Sequence, residues 1–332
     1  MTSRCLHVDM LVCWLAVAIL AGCASPGVGG TKGPDAIGSG AYLLRGTFAA
    51  NRQPDGNTVL LEGRTGLIVF DTGRHPEQAE KIAAFARSRN RPVLAIFNSH
   101  WHLDHISGNI PLKATWPYAK VYSNDPALSE ALRTFLAQGA EFNRKRLADP
   151  DTPADQREDA RIDLATVEQG RMLHPDISLE RDQVLMIDGR RLEVHTAAGA
   201  SAGDVWIYDP RARLVAAGDL ITLPAPFLDT ACPAKWTAAL GDVLAVPFER
   251  VAPGHGRIMT RGDVERYRDA FDALIVCARG DLSAETCAGA WADAASPLQD
   301  APSGDRAAAA RYAAYYVTEI LRKPSRRADC GG

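Results

Sequence analysis

The chain has 332 residues, enough for one large domain or two small ones, and 46% of them are hydrophobic, as expected of a soluble globular protein. The formal net charge is −3. No basic patch with interleaved aromatics occurs, so nucleic acid is not an expected partner.

The N-terminus reads as a processing segment, outside the fold. Arg4 supplies a thin positive region, and Met10 to Ile19 is an apolar core too short to span a bilayer as a mature helix. Leu20-Ala21-Gly22-Cys23 resembles a bacterial lipobox. The resemblance implies a signal peptide over residues 1–22, cleavage before Cys23, and lipidation of Cys23. An ordinary secretory signal, with Cys23 lost or free, is the competing reading. Ala24 after the cysteine favours, by similarity to Gram-negative lipoproteins, an anchor in the outer membrane facing the periplasm. Residues 23–40 then read as a flexible tether, rich in Gly, Pro and Ser from Pro26 to Gly40. No Gly-x-x-x-x-Gly-Lys-Ser/Thr pattern makes this stretch a phosphate cradle.

Of seven cysteines, Cys5 and Cys13 leave with the signal and Cys23 would carry lipid. Cys232, Cys277, Cys287 and Cys330 remain as disulfide candidates in an oxidising compartment. Four cysteines allow three pairings, among which the sequence does not choose. Cys277 with Cys287 is the local option, which leaves Cys232 with Cys330. A cysteine metal site is not supported, because no Cys-x-x-Cys occurs.

From Tyr42 to Phe97 the pattern predicts strands, a helix and a strand. The helix is Pro76 to Arg89, with Ala79, Ile82, Ala83 and Phe85 on one side. Pro92-Val93-Leu94-Ala95-Ile96-Phe97 is short enough to be one buried strand. Directly after it stands Asn98-Ser99-His100-Trp101-His102-Leu103-Asp104-His105, so three of the chain's 8 histidines fall within six positions. In extended backbone His100 and His102 point to the same side, while Asp104 and His105 follow a bend. Imidazole with carboxylate suits zinc, or another first-row metal such as iron or manganese, better than magnesium or calcium.

Ala119 to Tyr122 reads as a further strand. Residues 126–172 read as a helical insertion of two helices, Pro126 to Leu147 and Ala154 to Arg171, split by Asp149-Pro150-Asp151-Thr152-Pro153. It is either a lid over the site or a surface hairpin without a catalytic part. Strands follow at Gln183 to Ile187, Arg191 to His195 and Val205 to Tyr208. Helices follow at Pro233 to Leu244, Val264 to Ala278 and Arg306 to Arg322. Tyr312, Tyr315 and Tyr316 on the last helix read as packing residues.

His-x-His-x-Asp-His after an apolar strand resembles the signature of the metallo-β-lactamase superfamily. Three further landmarks follow in the family's order. Asn57-Thr58-Val59-Leu60-Leu61 with Thr65 to Gly73 looks like the opening hairpin and its Asp-Thr-Gly turn. Val215-Ala216-Ala217-Gly218-Asp219 looks like the strand ending in Gly-Asp. Val251-Ala252-Pro253-Gly254-His255-Gly256 looks like the late Pro-Gly-His-Gly element. The resemblance implies a domain over residues 41–325 of α/β class, an αββα four-layer sandwich in which two mixed sheets carry helices on their outer faces. It implies a hydrolase whose metal-activated water attacks an ester-like bond (lactam, lactone, thioester or ester) in a small-molecule substrate. Zinc, one or two ions per chain, is the implied cofactor. His100 and His102 would help hold the first ion; Asp104, His105 and His255 the second; Asp219 would bridge them. Asp104 and Asp71 are the catalytic candidates, Asp71 as a carboxylate that orients a ligand or its loop.

One landmark is altered. The family expects Gly-His-Thr or Gly-His-Ser as the source of the first ion's third histidine. Here Thr196 to Asp204 reads Thr-Ala-Ala-Gly-Ala-Ser-Ala-Gly-Asp, and Ala200 stands where the histidine should be. His195 lies on the order of 16 Å away along a strand. His174 and His75 would have to reach in from elsewhere, and each reads as a surface histidine. Three readings follow: only the second ion binds; both bind, the first weakly; or the scaffold has become a non-catalytic envelope binding protein. Ser201 sits in a Gly-x-Ser-x-Gly context, but a strand-like run follows it where a nucleophile elbow needs a helix.

Overall fold

Leu67-Ile68-Val69-Phe70 sets the pattern of the fold. As a strand it sends Leu67 and Val69 to one face and Ile68 and Phe70 to the other, and both faces are buried. A strand apolar on both sides needs a layer on each. In the computed structural model of the protein, residues 33–48, 52–300 and 302–323 are described. The expected signal peptide, Cys23, and Cys330 with its expected pairing all lie outside the described residues.

Among the described residues, twelve strands form two sheets. The first runs in chain order: β1 (Asp35–Gly38), β2 (Ala41–Leu44), β3 (Thr58–Glu62), β4 (Leu67–Phe70), β5 (Val93–Phe97), β6 (Lys120–Ser123) and β7 (Ile177–Ser178). It is antiparallel up to β4 and parallel from there on. The second holds β8 (Gln183–Ile187), β9 (Arg190–Ala197), β10 (Asp204–Asp209), β11 (Leu214–Thr222) and β12 (Arg250–His255). Its pairs are antiparallel except β11 with β12.

The helices complete the layers. Helices α1 (Pro76–Ser88), α2 (Leu103–Ile106) and α3 (Asn109–Thr115) belong to the first half. Helices α4 (Asp125–Arg133), α5 (Phe135–Ala148) and α6 (Ala154–Glu168) form the insertion. Helices α7 (Pro233–Ala245), α8 (Arg261–Arg279), α9 (Ala284–Ala295) and α10 (Pro302–Tyr316) close the chain. Ile68, Phe70 and Phe97 meet Val205, Ile207 and Leu214 between the sheets. Leu67 and Val69 pack outward on Ile82 and Phe85 of α1, and Trp206 and Tyr208 lie in one cluster with Trp236, Phe271 and Trp291 of the closing helices. This is the αββα sandwich.

Several elements depart from expectation. Asp35–Gly38, placed in the tether, is a strand, because Ile37 within that polar composition is buried between the sheets. The insertion's first helix breaks at Thr134, whose backbone turns to φ −115°, ψ −91° and whose hydroxyl donates to the Glu130 carbonyl. The turn brings the Phe135 ring to 5.4 Å from Trp101. Helix α9 was not expected; its signal is Ser283, which caps it by accepting from the Thr286 amide. Cys277 of α8 and Cys287 of α9 form the local disulfide.

Candidate metal centre

The predicted ligands come from the ends of strands in both sheets. The segment after β5 carries His100 to His105, β11 carries Asp219, and β12 ends at His255. Two glycines of the motifs hold these ends together. At Gly254 a β-carbon would lie 1.9 Å from Asp219 Oδ1, and Gly218 is at φ +54° with its β-carbon position 2.2 Å from that of Ser99. Asn57 clamps the loop of His255 by donating to the carbonyls of Pro253 and Gly256, both at 2.9 Å.

Asp104, His105 and His255 form one group of converging donor atoms, and His100, His105 and Asp219 another. Asp104 Oδ2 lies 3.0 Å from His255 Nε2 and 3.6 Å from His105 Nε2. Asp219 stands between the groups. Its Oδ1 is 3.3 Å from His105 Nε2 and 3.7 Å from His255 Nε2, and its Oδ2 is 4.0 Å from His100 Nε2. Donors bound at about 2.0–2.1 Å to a tetrahedral zinc stand about 3.3 Å from one another, so these separations suit a shared cation. His105 Nε2 and Asp219 Oδ1 are also buried without a hydrogen-bond partner, as two atoms facing a common ion would be.

Hydrogen bonding behind the histidines fixes which nitrogen faces inward. Asp71, in a positive-φ turn at the end of β4, accepts from His105 Nδ1 at 2.8 Å and from the Ser99 hydroxyl at 2.7 Å. Ser99, having given its proton to Asp71, accepts from His100 Nδ1 at 2.9 Å. His100 therefore presents a bare Nε2 to the cluster.

The electrostatics agree with a site made for positive charge. Burial pulls His105 down, but Asp219, Asp104 and Asp71 together hold its pKa well above the usual imidazole value. His255 is raised against burial by Asp219 and Asp104. Burial opposes ionisation of Asp104, yet His105, His255 and Arg74 hold it well below the ordinary carboxylate range. Burial and the neighbouring imidazoles lower His100 well below its ordinary value, and burial takes His102 to about 3.

His102 stands apart from both groups. Its Nδ1 faces His100 Nε2 at 2.6 Å and its Nε2 faces the Thr230 hydroxyl at 2.9 Å. Ala200 is buried in the apolar cluster that includes Leu220 and Trp236. Among the described residues, no other histidine takes that place. His75 bonds Asp55 and Asp159, His174 bonds Asp125, and His195 bonds Asp182 while stacking on Trp206. The Ser201 hydroxyl is buried and donates to Asp204.

A cavity of about 430 Å³ opens over these donors. His102, Asp104, Asp219 and His255 lie at its base, and Trp101, Leu103, Phe135, Leu136, Phe142 and Phe227 make much of its wall. Tyr312 and Tyr316, expected only to pack, also line it. Motif reading missed Arg74, Thr230 and Ser99. Arg74 follows the Asp-Thr-Gly turn directly; it is nearly buried, 2.5 Å from Asp163 and 3.6 Å from Asp104 Oδ1. Its position beside a motif was the one available signal.

Comparison with known proteins points the same way. The (R)-specific secondary-alkylsulfatase of Pseudomonas sp. is 24% identical over 194 residues, 54% of this chain and 28% of that enzyme. The solved sec-alkylsulfatase Pisa1 from Pseudomonas sp. superposes with a TM-score of 0.57 at 19% identity, over 86% of this chain and 51% of that one. A metallo-beta-lactamase from Pontibacter korlensis superposes with a TM-score of 0.54 at 17% identity, over 72% and 98%. The chain thus spans about a quarter of the curated relative and half of the solved one. The sequence model of the metallo-beta-lactamase superfamily matches residues 52–276, well over half of the chain, and the protein belongs to that superfamily.

Proposed function

We propose that the protein is a metal-dependent hydrolase that cleaves the ester-like bond of a small amphiphilic molecule, with sulfate esters of apolar alcohols as the leading class. One observation carries this reading: a cluster of metal donors lies at the base of a cavity walled chiefly by aromatic and aliphatic side chains. Such a cavity suits an alkyl or aryl portion. Arg74 and Arg146, both on its lining, favour an anionic head. Zinc is the cation in this proposal. When bound, it supplies Lewis acidity and a water that ionises near neutral pH.

The chain's own residues have separable tasks. Asp104, His105 and His255 hold one ion, with Asp219 reaching toward it and toward His100. Asp71 keeps the His105 ring oriented, and Ser99 does the same for His100. The aromatic wall excludes water from the reacting bond and holds the apolar part in place. Names of the relatives support sulfate esters, and lactams, lactones, thioesters and carboxylic esters remain the comparison set. We also propose that the protein works at the cell envelope, anchored through Cys23; the Cys277–Cys287 disulfide fits an oxidising compartment. The burial of Ala200 in the apolar core supports a second reading, a binding protein without turnover.

The test is a substrate panel. Zinc-loaded protein is offered decyl sulfate, methyl sulfate, decyl acetate, a decyl lactone and a cephalosporin, with and without chelator. Turnover of decyl sulfate well above methyl sulfate, abolished by chelation, is expected. Binding of decyl sulfate without turnover of any member would establish the second reading. Equal turnover of the methyl and decyl compounds would refute the role given to the cavity.

A further inference from the structure

Tyr316, the last residue of α10, lines the cavity and is only 5% exposed. Its ring meets Phe227 edge-on at 6.1 Å, and Phe227 meets the His102 ring edge-on at 4.9 Å. The phenol therefore stands one ring away from His102, at the base of the cavity. Helix α10 lies beyond residues 52–276, the stretch that the superfamily's sequence model matches, so this side chain comes from outside the part that carries the shared motifs.

Among the described residues, no hydrogen-bond partner meets the Tyr316 hydroxyl. The neighbouring acid, Asp229, is contacted by the Tyr315 hydroxyl instead, at 3.4 Å. Nor is the Tyr316 oxygen sealed within the core: it is not one of the buried atoms left without a partner, so it borders the open space of the cavity. A phenylalanine would meet Phe227 equally well and leave no polar group unmatched, so packing does not account for the hydroxyl. Burial, reinforced by the negative charge of Asp229 and of Asp219, holds the phenol's pKa far above its ordinary value. The group is thus a donor without an acceptor.

We propose that Tyr316 is a substrate-binding residue whose hydroxyl donates a hydrogen bond to an oxygen of the substrate's anionic head. The inference rests on the reading of this cavity as the site of an anionic, amphiphilic ester. The guanidinium of Arg74 is already held by Asp163 and Asp104, so it is not free to be the head's sole partner. Tyr316 adds a donor that has no competing acceptor in the protein. No proton changes hands, and the phenol keeps its hydrogen while the substrate is bound. A head without an accepting oxygen would leave the hydroxyl unmatched, which makes Tyr316 a determinant of head chemistry and not of tail length.

The experiment is calorimetric titration of zinc-loaded full-length protein, wild type and Tyr316→Phe, with hexanesulfonate and decanesulfonate. These carry anionic oxygens and no ester bond to cleave, so binding is read without turnover. Tyr316→Phe should weaken both by the same factor, about 10–100-fold, and leave the preference for the longer chain and the metal-free melting temperature unchanged. Unchanged affinity for both sulfonates would overturn the inference. A loss confined to decanesulfonate would also overturn it, since Tyr316 would then only pack against the tail, and so would a wild type that binds neither compound. Sulfonate binding that behaves as expected, in a wild type that does not turn over decyl sulfate, would remove the proposed hydrolysis and leave the role of Tyr316 standing.

Discussion

Asp71 shows how a single carboxylate sets a site it need not touch. It accepts from His105 Nδ1 and from Ser99, and through Ser99 it also directs His100. Replacing it with asparagine leaves an amide that can donate as well as accept, so the inward nitrogens lose their assignment. Zinc affinity should fall about 10–100-fold in Asp71→Asn, measured by chelator competition. Protonation of His105 and His255 works against the metal for the same electrostatic reason. Their pKa values are raised, so protons stay on them to higher pH and compete with zinc. Affinity should therefore rise with pH, about tenfold per unit for each proton released; a pH-independent affinity would contradict this.

Asp204 offers a separate residue-scale test. Burial drives its carboxyl up to about 7, although Ser201 and Gly199 donate to it. A raised carboxyl pKa means that the folded state holds its proton longer than the unfolded chain does. Its cost to stability is absent below about pH 4 and grows as the pH rises toward 7, to a limit of about 4 kcal/mol. Chelator-treated wild type should thus lose about 3 kcal/mol more than Asp204→Asn between pH 5 and pH 8 in urea unfolding. Equal losses would show that Asp204 is ionised across that range. Five of the six candidate ligands, all but His102, converge in the structure, and each stood in a motif at or near the end of a strand. The sequence could not disclose Thr230 or Ser99, because folding alone brings Thr230 to His102 and Ser99 to Asp71.

At the scale of elements, the insertion is a wall fixed to the core. Asp159 and Asp163, one helical turn apart on α6, are both buried. Asp159 accepts from Arg52, from the Gln53 amide and from the His75 ring, while Asp163 pairs with Arg74. Arg74 in turn lies beside Asp104, so the insertion and the metal centre share a residue. Helix α5 turns Phe135, Leu136 and Phe142 toward the cavity. Asp159→Ala should release α6, with amide exchange in residues 154–168 faster by on the order of tenfold or more and the sheet amides unchanged. Unchanged exchange in that helix would show that other contacts anchor it. The sequence could not decide between a lid and a surface hairpin, because a charged helix looks solvated until the arginines that pair with it are known. The break at Thr134 was equally hidden, since it depends on Phe135 finding Trp101.

For the whole molecule, the sandwich was legible to a large degree. Strands such as Leu67–Phe70, apolar on both faces, require two covering layers, and the order of motifs supplied the rest. What depended on long-range packing was less legible: β1 is held by one buried isoleucine, and α9 lies in an alanine-rich stretch with weak periodicity. The two sheets meet so that their strand ends deliver donors from residues 100 to 255 to one place, under a cavity that the insertion and the last helix enclose. This place is the proposed metal centre. Elemental analysis of full-length protein purified without chelator, beside His255→Ala prepared in the same way, tests it most directly. At least one zinc per chain is expected in wild type, with a clear loss in His255→Ala. Metal-free wild type, or a metal content that His255→Ala leaves unchanged, would contradict it.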